Sequence, residues 1–96
     1  MSTEGDSVIV RISGELDALT VVDLRPTMDR IVQEGHKKVY VDLSSLRLID
    51  SCGVGAVVSL FRRVRAYGGK VEVKGVKDQP LAILKLLKLD RILMGA

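Results

Sequence analysis

The residue pattern predicts an α/β fold, a small mixed or parallel sheet with helices packed against it in a single domain. Short runs of β-branched and apolar residues alternate with stretches of three- and four-residue apolar periodicity. Their order is strand, helix, strand, helix, strand, helix, which short right-handed crossovers fold onto a largely parallel sheet. The 96 residues are 47% hydrophobic and 28% charged, ordinary usage for one globular domain with a real core.

Residues 1–6 are polar and expected to be loose. Ser7–Ser13 contains Val-Ile-Val-Arg-Ile, a strand whose consecutive apolar residues predict burial on both faces for part of its length. Gly14-Glu-Leu-Asp17 ends it in a turn carrying two carboxylates. A first helix begins near Thr20, with Asp23 three residues on in the manner of a weak capping box. Leu24, Met28, Ile31 and Val32 form its buried stripe, Pro26 places its start close by, and Gly35 caps its end. His36 falls in a short basic turn and reads as a solvated loop residue.

The second strand is Lys38–Leu43, and Ser44–Arg47 reads as a loop leading into Leu48–Gly55. Val54, Val57, Val58, Phe61 and Val64 then mark an amphipathic helix from Ser51 to Tyr67, closed by Gly68 and Gly69. Lys70–Lys74 alternates around Val71 and Val73 as a third strand. Asp78-Gln79-Pro80 opens a third helix with proline in its first turn, and Leu81, Ile83, Leu84 and Leu87 are expected to face inward. Leu89–Leu93 is either a last turn or a return to the sheet edge.

Composition excludes several kinds of chemistry. One cysteine and one histidine cannot build a zinc site, and one cysteine cannot form an internal disulfide. Neither a P-loop nor a dinucleotide fingerprint is present. A hydrolase built on Ser51 would lack a nearby base. The chain therefore reads as a non-enzyme with no cofactor and no metal. Its net charge of +3 gathers at Arg62, Arg63 and Arg65 and at Lys70 and Lys74. A solvated helix face explains that better than nucleic-acid binding, since aromatics are only 3% and no nucleic-acid motif appears. No apolar run approaches a membrane span, and the start lacks signal-peptide regions, so a soluble, cytoplasmic protein is expected.

Leu48–Gly55 is where the chain's interest gathers. Asp50 and Ser51 fall where a strand gives way to a helix N-terminus, and both accept hydrogen bonds from the free N–H groups there. A plain helix cap accounts for the pair. Gly53 and Gly55 strain that account, because each costs a helix about 1 kcal/mol relative to alanine. Close approach of another backbone or of a partner would compensate. An exposed serine at a helix start also suits phosphorylation, whose charge the dipole tolerates while Asp50 repels it. Ser44, Ser45 and Ser59 lack this combination, and Ser59 is expected to expose less of its hydroxyl.

From Val8 to Leu93 the chain resembles the STAS family, and within it the bacterial anti-sigma factor antagonists. Gly14-Glu-Leu-Asp17 is similar to the family's Gly-x-Leu-Asp turn. Val41-Asp-Leu-Ser followed by Ile49-Asp-Ser-Cys-Gly-Val-Gly55 is similar to its Asp-Leu-Ser…Asp-Ser-Ser/Thr-Gly-Leu-Gly signature. Gly69-Lys-Val-Glu-Val, Pro80 and a leucine-rich helix match its last third.

The resemblance implies one STAS domain over 1–96, monomeric or weakly dimeric. It implies Ser51 as the serine phosphorylated by an anti-sigma factor with serine kinase activity, and reset by a serine phosphatase. Asp17, Asp50, Cys52, Gly53 and Gly55 are then the partner-binding residues. Neither direct nucleic-acid contact nor membrane insertion is implied. The alternative is a docking module of another assembly, lipid-transport or stress-signalling, in which Ser51 is not modified. Two departures stand out: Cys52 replaces the usual hydroxyl residue, and only about seven residues remain for the family's extra N-terminal strand. The sheet is therefore expected one strand short, with an exposed edge.

Overall fold

The computed structural model describes residues 2–5 and 7–94. In chain order its elements are β1 (Ser2–Glu4), β2 (Ser7–Arg11), β3 (Gly14–Leu16), α1 (Val21–Glu34), β4 (Lys38–Asp42), β5 (Leu46–Ile49), α2 (Ser51–Ala66), β6 (Lys70–Lys74), α3 (Asp78–Leu86) and α4 (Asp90–Leu93). The four-stranded sheet runs β1-β2-β4-β6. Its last three strands are parallel, in register from Ser7–Lys38–Lys70 to Arg11–Asp42–Lys74.

Ser2–Glu4 pairs antiparallel with β2. The extra N-terminal strand is thus present, and the expectation of a sheet one strand short is overturned for these residues. The ladder to β2 supplies main-chain partners, which is why a strand forms where the sequence shows no apolar alternation. The expected looseness of 1–6 fails at Ser2–Glu4, while Met1 and Asp6 lie outside the described residues.

Burial alternates along the strands. Val8, Val10, Val39, Val41, Val71 and Val73 are buried and face α1 and α2, where Met28, Ile31, Leu60 and Val64 meet them. Each such side chain contributes about 1.5–3 kcal/mol through removal from water. Leu84 of α3 and Leu93 of α4 complete this core. Ile9 points to the opposite face and stays half-buried, which corrects the two-faced burial expected for β2. That face carries Tyr40 with the Lys74 ammonium 4.5 Å from its ring centre, and the Arg11–Asp42 ion pair at 3.2 Å.

The segments read as a turn and a loop are strands instead. β3 and β5 pair in parallel and end with Leu16 opposite Ile49. They carry the neighbouring β2 and β4 onward, with Ile12 donating to the Asp42 carbonyl and Gly14 to that of Ser45, both at 3.0 Å. Gly14 takes φ +77°, a left-handed kink that separates β3 from β2.

Three smaller expectations also change. Thr20 makes no side-chain cap to α1, because its hydroxyl is engaged with Asp17 and Glu15 in the preceding turn. His36 is largely covered: its ring lies 2.9 Å from Glu34 and its carbonyl accepts the Tyr67 hydroxyl at 2.7 Å. Leu87 is half exposed, since α3 ends at Leu86 and the chain turns away through Lys88 at φ +58°. Leu89–Leu93 resolves as a final helical turn, with Leu93 buried. Among the described residues no helix is long and apolar enough to cross a membrane.

Candidate functional site

Asp50 follows β5 directly and caps α2. Its extended backbone (φ −111°, ψ −174°) turns the carboxylate to accept from the Gly53 amide at 2.9 Å. Its own amide donates to the Leu16 carbonyl at 3.2 Å, and its carbonyl accepts from Val54 at 2.9 Å. One residue therefore ties the helix start to β3. Ser51 is the first helical residue and is exposed. Its amide and that of Cys52 are the ones at this helix end that the Asp50 cap does not engage.

Because Leu16 and Ile49 are opposite one another, Asp17 and Asp50 leave the paired strands side by side. Both line one hollow of about 320 Å3, with Leu48 on its wall. The two carboxylates thus stand at one edge of the fold. Asp17 does not extend freely toward Ser51, however. Its carboxylate accepts from the amides of Thr20 and Leu19, each at 3.0 Å, and lies 3.1 Å from the Thr20 hydroxyl. The Thr20 amide, then its hydroxyl, then the Leu19 amide hold the carboxyl below the ordinary carboxylate range. Asp17 thus shapes the β3–α1 turn and keeps a negative charge beside the hollow.

Gly53 is buried against β3. A Cβ there would stand 2.7 Å from Ile49 Cγ1 and 2.9 Å from Leu16 Cγ, and closer still to the Leu16 carbonyl oxygen. Its missing side chain lets backbone meet backbone. Gly55 differs: nothing lies within 4 Å of its would-be Cβ. Together with Cys52 it lines a groove of about 700 Å3 between α1 and α2, floored by Met28 and Ala56. The Arg63–Asp29 ion pair at 2.9 Å also borders it. Ser59 is exposed in the same groove, contrary to expectation, because its position on α2 faces away from the sheet.

The residues expected at the site thus divide: Asp17 and Asp50 to the hollow, Cys52 and Gly55 to the groove, and Gly53 to the interior. Ser51 joins the two sides in sequence.

Two residues near this edge were not singled out in the sequence. Gln79, at the start of α3, grips the main chain of Ile49 from both sides. Its Oε1 accepts the Ile49 amide at 2.9 Å and its Nε2 donates to the Ile49 carbonyl at 3.0 Å. Nothing in the Asp78-Gln-Pro signal announces a partner thirty residues away. Leu19, 82% exposed, stands on the turn that Asp17 organises. A large apolar residue in the short turn Asp17-Ala-Leu-Thr20 was its one available sign.

The STAS domain family model matches residues 1–95. The chain belongs to the STAS family. Its curated relatives include the anti-sigma-B factor antagonist of Staphylococcus aureus, 30% identical over 70 residues. That match covers 73% of this chain and 65% of the relative, so the chain spans just under two thirds of that protein's length. The anti-sigma F factor antagonist of Paenibacillus polymyxa is 30% identical over 87 residues, covering 90% of this chain and 74% of the relative. Among solved structures, the Bacillus cell fate determinant SpoIIAA in its phosphorylated form superposes with a TM-score of 0.79 at 22% identity. It covers 98% of this STAS domain and 86% of that chain, which shows a common fold.

Proposed function

We propose that this STAS domain is an anti-sigma factor antagonist working by partner switching. Unphosphorylated, it occupies an anti-sigma factor and leaves the sigma factor free. The anti-sigma factor's serine kinase activity phosphorylates Ser51 and the complex separates, until a serine phosphatase restores the hydroxyl. The observation that carries this is the placement of Ser51: exposed, first in α2, and seated on a start that Asp50 pins to β3.

The electrostatics support release without unfolding. A phosphoryl group brings a charge of about −1.5 to −2. At the helix start it gains on the order of 1 kcal/mol from the dipole, so the fold is little disturbed. Buried against a partner that offers no cation, the same charge costs several kcal/mol. Asp17 and Asp50 already make this end acidic, and a further dianion deepens the mismatch. Leu19 and Leu48, exposed beside the two carboxylates, supply apolar contact for the unmodified state.

The test is incubation with the anti-sigma factor and ATP, followed by phosphopeptide mapping and binding measurements. Phosphate is expected on Ser51, with Ser51→Ala binding constitutively and Ser51→Asp binding poorly while melting near the parent. Phosphate found only on Ser44, Ser45 or Ser59 refutes the assignment. Undiminished binding by the modified protein leaves a docking module without a switch.

A further inference from the structure

Among the described residues the sheet ends on β6, whose outer edge pairs with no strand. The Lys70 amide donates to the Lys37 carbonyl at 2.8 Å, and the Lys74 carbonyl accepts from Leu43 at 2.9 Å. Lys70, Glu72 and Lys74 therefore turn their main-chain groups toward β4. By alternation, the N–H and C=O groups of Val71 and Val73 point the other way, and among the described residues no hydrogen-bond partner meets them. A groove of about 560 Å3 runs along this edge, walled by Phe61, Val71 and Ile92. Ile92 is 51% exposed, and the Arg65 guanidinium stands 5.6 Å over the Phe61 ring.

The side chains of β6 carry a pattern. Val71 and Val73 face the helices, while Lys70, Glu72 and Lys74 stand on the open face. We infer that β6 accepts an added strand from a protein partner whose segment reads acidic, apolar, basic, apolar, acidic. Main-chain bonds to Val71 and Val73 supply attraction of a kind any extended segment offers, and the charges select among segments. Lys-x-Glu-x-Lys reads alike in both directions, so the complementary charges meet in parallel and in antiparallel pairing. The apolar residues of the segment fall on the helix side, one of them beside Val71 and into the groove.

A second copy of this chain fits poorly. Antiparallel β6 against β6 sets Lys70 opposite Lys74 and Glu72 opposite itself, and facing like charges oppose pairing. The same lysines guard the edge against self-association. The groove lies at the far end of α2 from Ser51, about 20 Å along the helix. Occupation of β6 therefore leaves Ser51 uncovered.

The experiment is an NMR titration of the labelled protein with acetyl-Glu-Val-Lys-Val-Glu-amide and with its charge-reversed counterpart, acetyl-Lys-Val-Glu-Val-Lys-amide. The amides of Val71 and Val73 are expected to shift and to exchange more slowly. The first peptide is expected to bind about tenfold tighter than the second. Lys70→Glu combined with Lys74→Glu, both at exposed positions, is expected to reverse that order. Absence of shifts at Val71 and Val73, shifts centred instead on the start of α2, or equal binding of the two peptides overturns the inference.

Discussion

Gly53→Ala and Gly55→Ala add the same methyl group two residues apart on α2, and the structure assigns them opposite effects. At Gly53 the methyl meets Ile49 Cγ1 at 2.7 Å and Leu16 Cγ at 2.9 Å, and crowds the Leu16 carbonyl more tightly still. That carbonyl belongs to β3 and accepts the Asp50 amide, so it has little room to retreat. Overpacking of this kind costs about 1–3 kcal/mol. Displacing the helix start also weakens the Asp50–Leu16 bond, worth about 1 kcal/mol. Removing a glycine from the helix returns about 1 kcal/mol. Gly53→Ala is thus expected to destabilise by about 1–3 kcal/mol, lowering Tm by roughly 5–20 °C for a domain of this size.

Gly55→Ala meets nothing within 4 Å, keeps the propensity gain of about 1 kcal/mol, and raises Tm by about 4–8 °C. The propensity term is common to both variants. Their difference, about 2–4 kcal/mol, therefore reports the packing against β3 alone. Urea unfolding followed by far-UV circular dichroism, with thermal melts alongside, measures both. A Gly53→Ala protein that melts at or above the parent refutes the packing argument, and so does a Gly55→Ala protein that melts below it.

Asp50→Ala removes the cap from Gly53 and is expected to lose about 0.5–2 kcal/mol, with Asp50→Asn recovering most of it in the same unfolding assay. Gln79→Leu leaves both main-chain groups of Ile49 without their partners. It should lower stability by about 1–3 kcal/mol, and hydrogen exchange should accelerate at the Ile49 amide in particular. Asp17, Glu34 and Asp42 all titrate below their unfolded values of 3.8, 4.5 and 3.8. Their stabilisation is complete above those values and is lost as pH falls through the lower folded ones. Melting temperature should therefore drop on acidification below about pH 4, and Asp17→Asn should make that drop shallower.

The elements with strong periodicity were legible in the residues themselves. β6 runs Lys70–Lys74 as its alternation indicates, and α2 begins at Ser51 because Asp50 is a residue type that caps. What escaped was short or paid for at a distance. β3 and β5 have three and four residues, too few for a period of two to declare itself, and they exist through each other. β1 is polar and is held by its ladder to β2. At the site, Asp50 and Ser51 could be placed together at a helix start from their residue types and spacing. The separate duties of Gly53 and Gly55 could not, since the distinction lies in what surrounds each Cβ. Gln79 was illegible for the same reason: a side-chain amide that reads another segment's backbone has no local signature.

That amide also joins two parts of the chain that are made at different times. Synthesis runs from the N-terminus, so Ile49, Asp50 and Ser51 leave the ribosome well before Gln79 does. Until then Ile49 lacks the two bonds that steady its main chain beside the helix start. The support beside Ser51 therefore depends on α3, and loosening α3 loosens the main chain from which α2 starts.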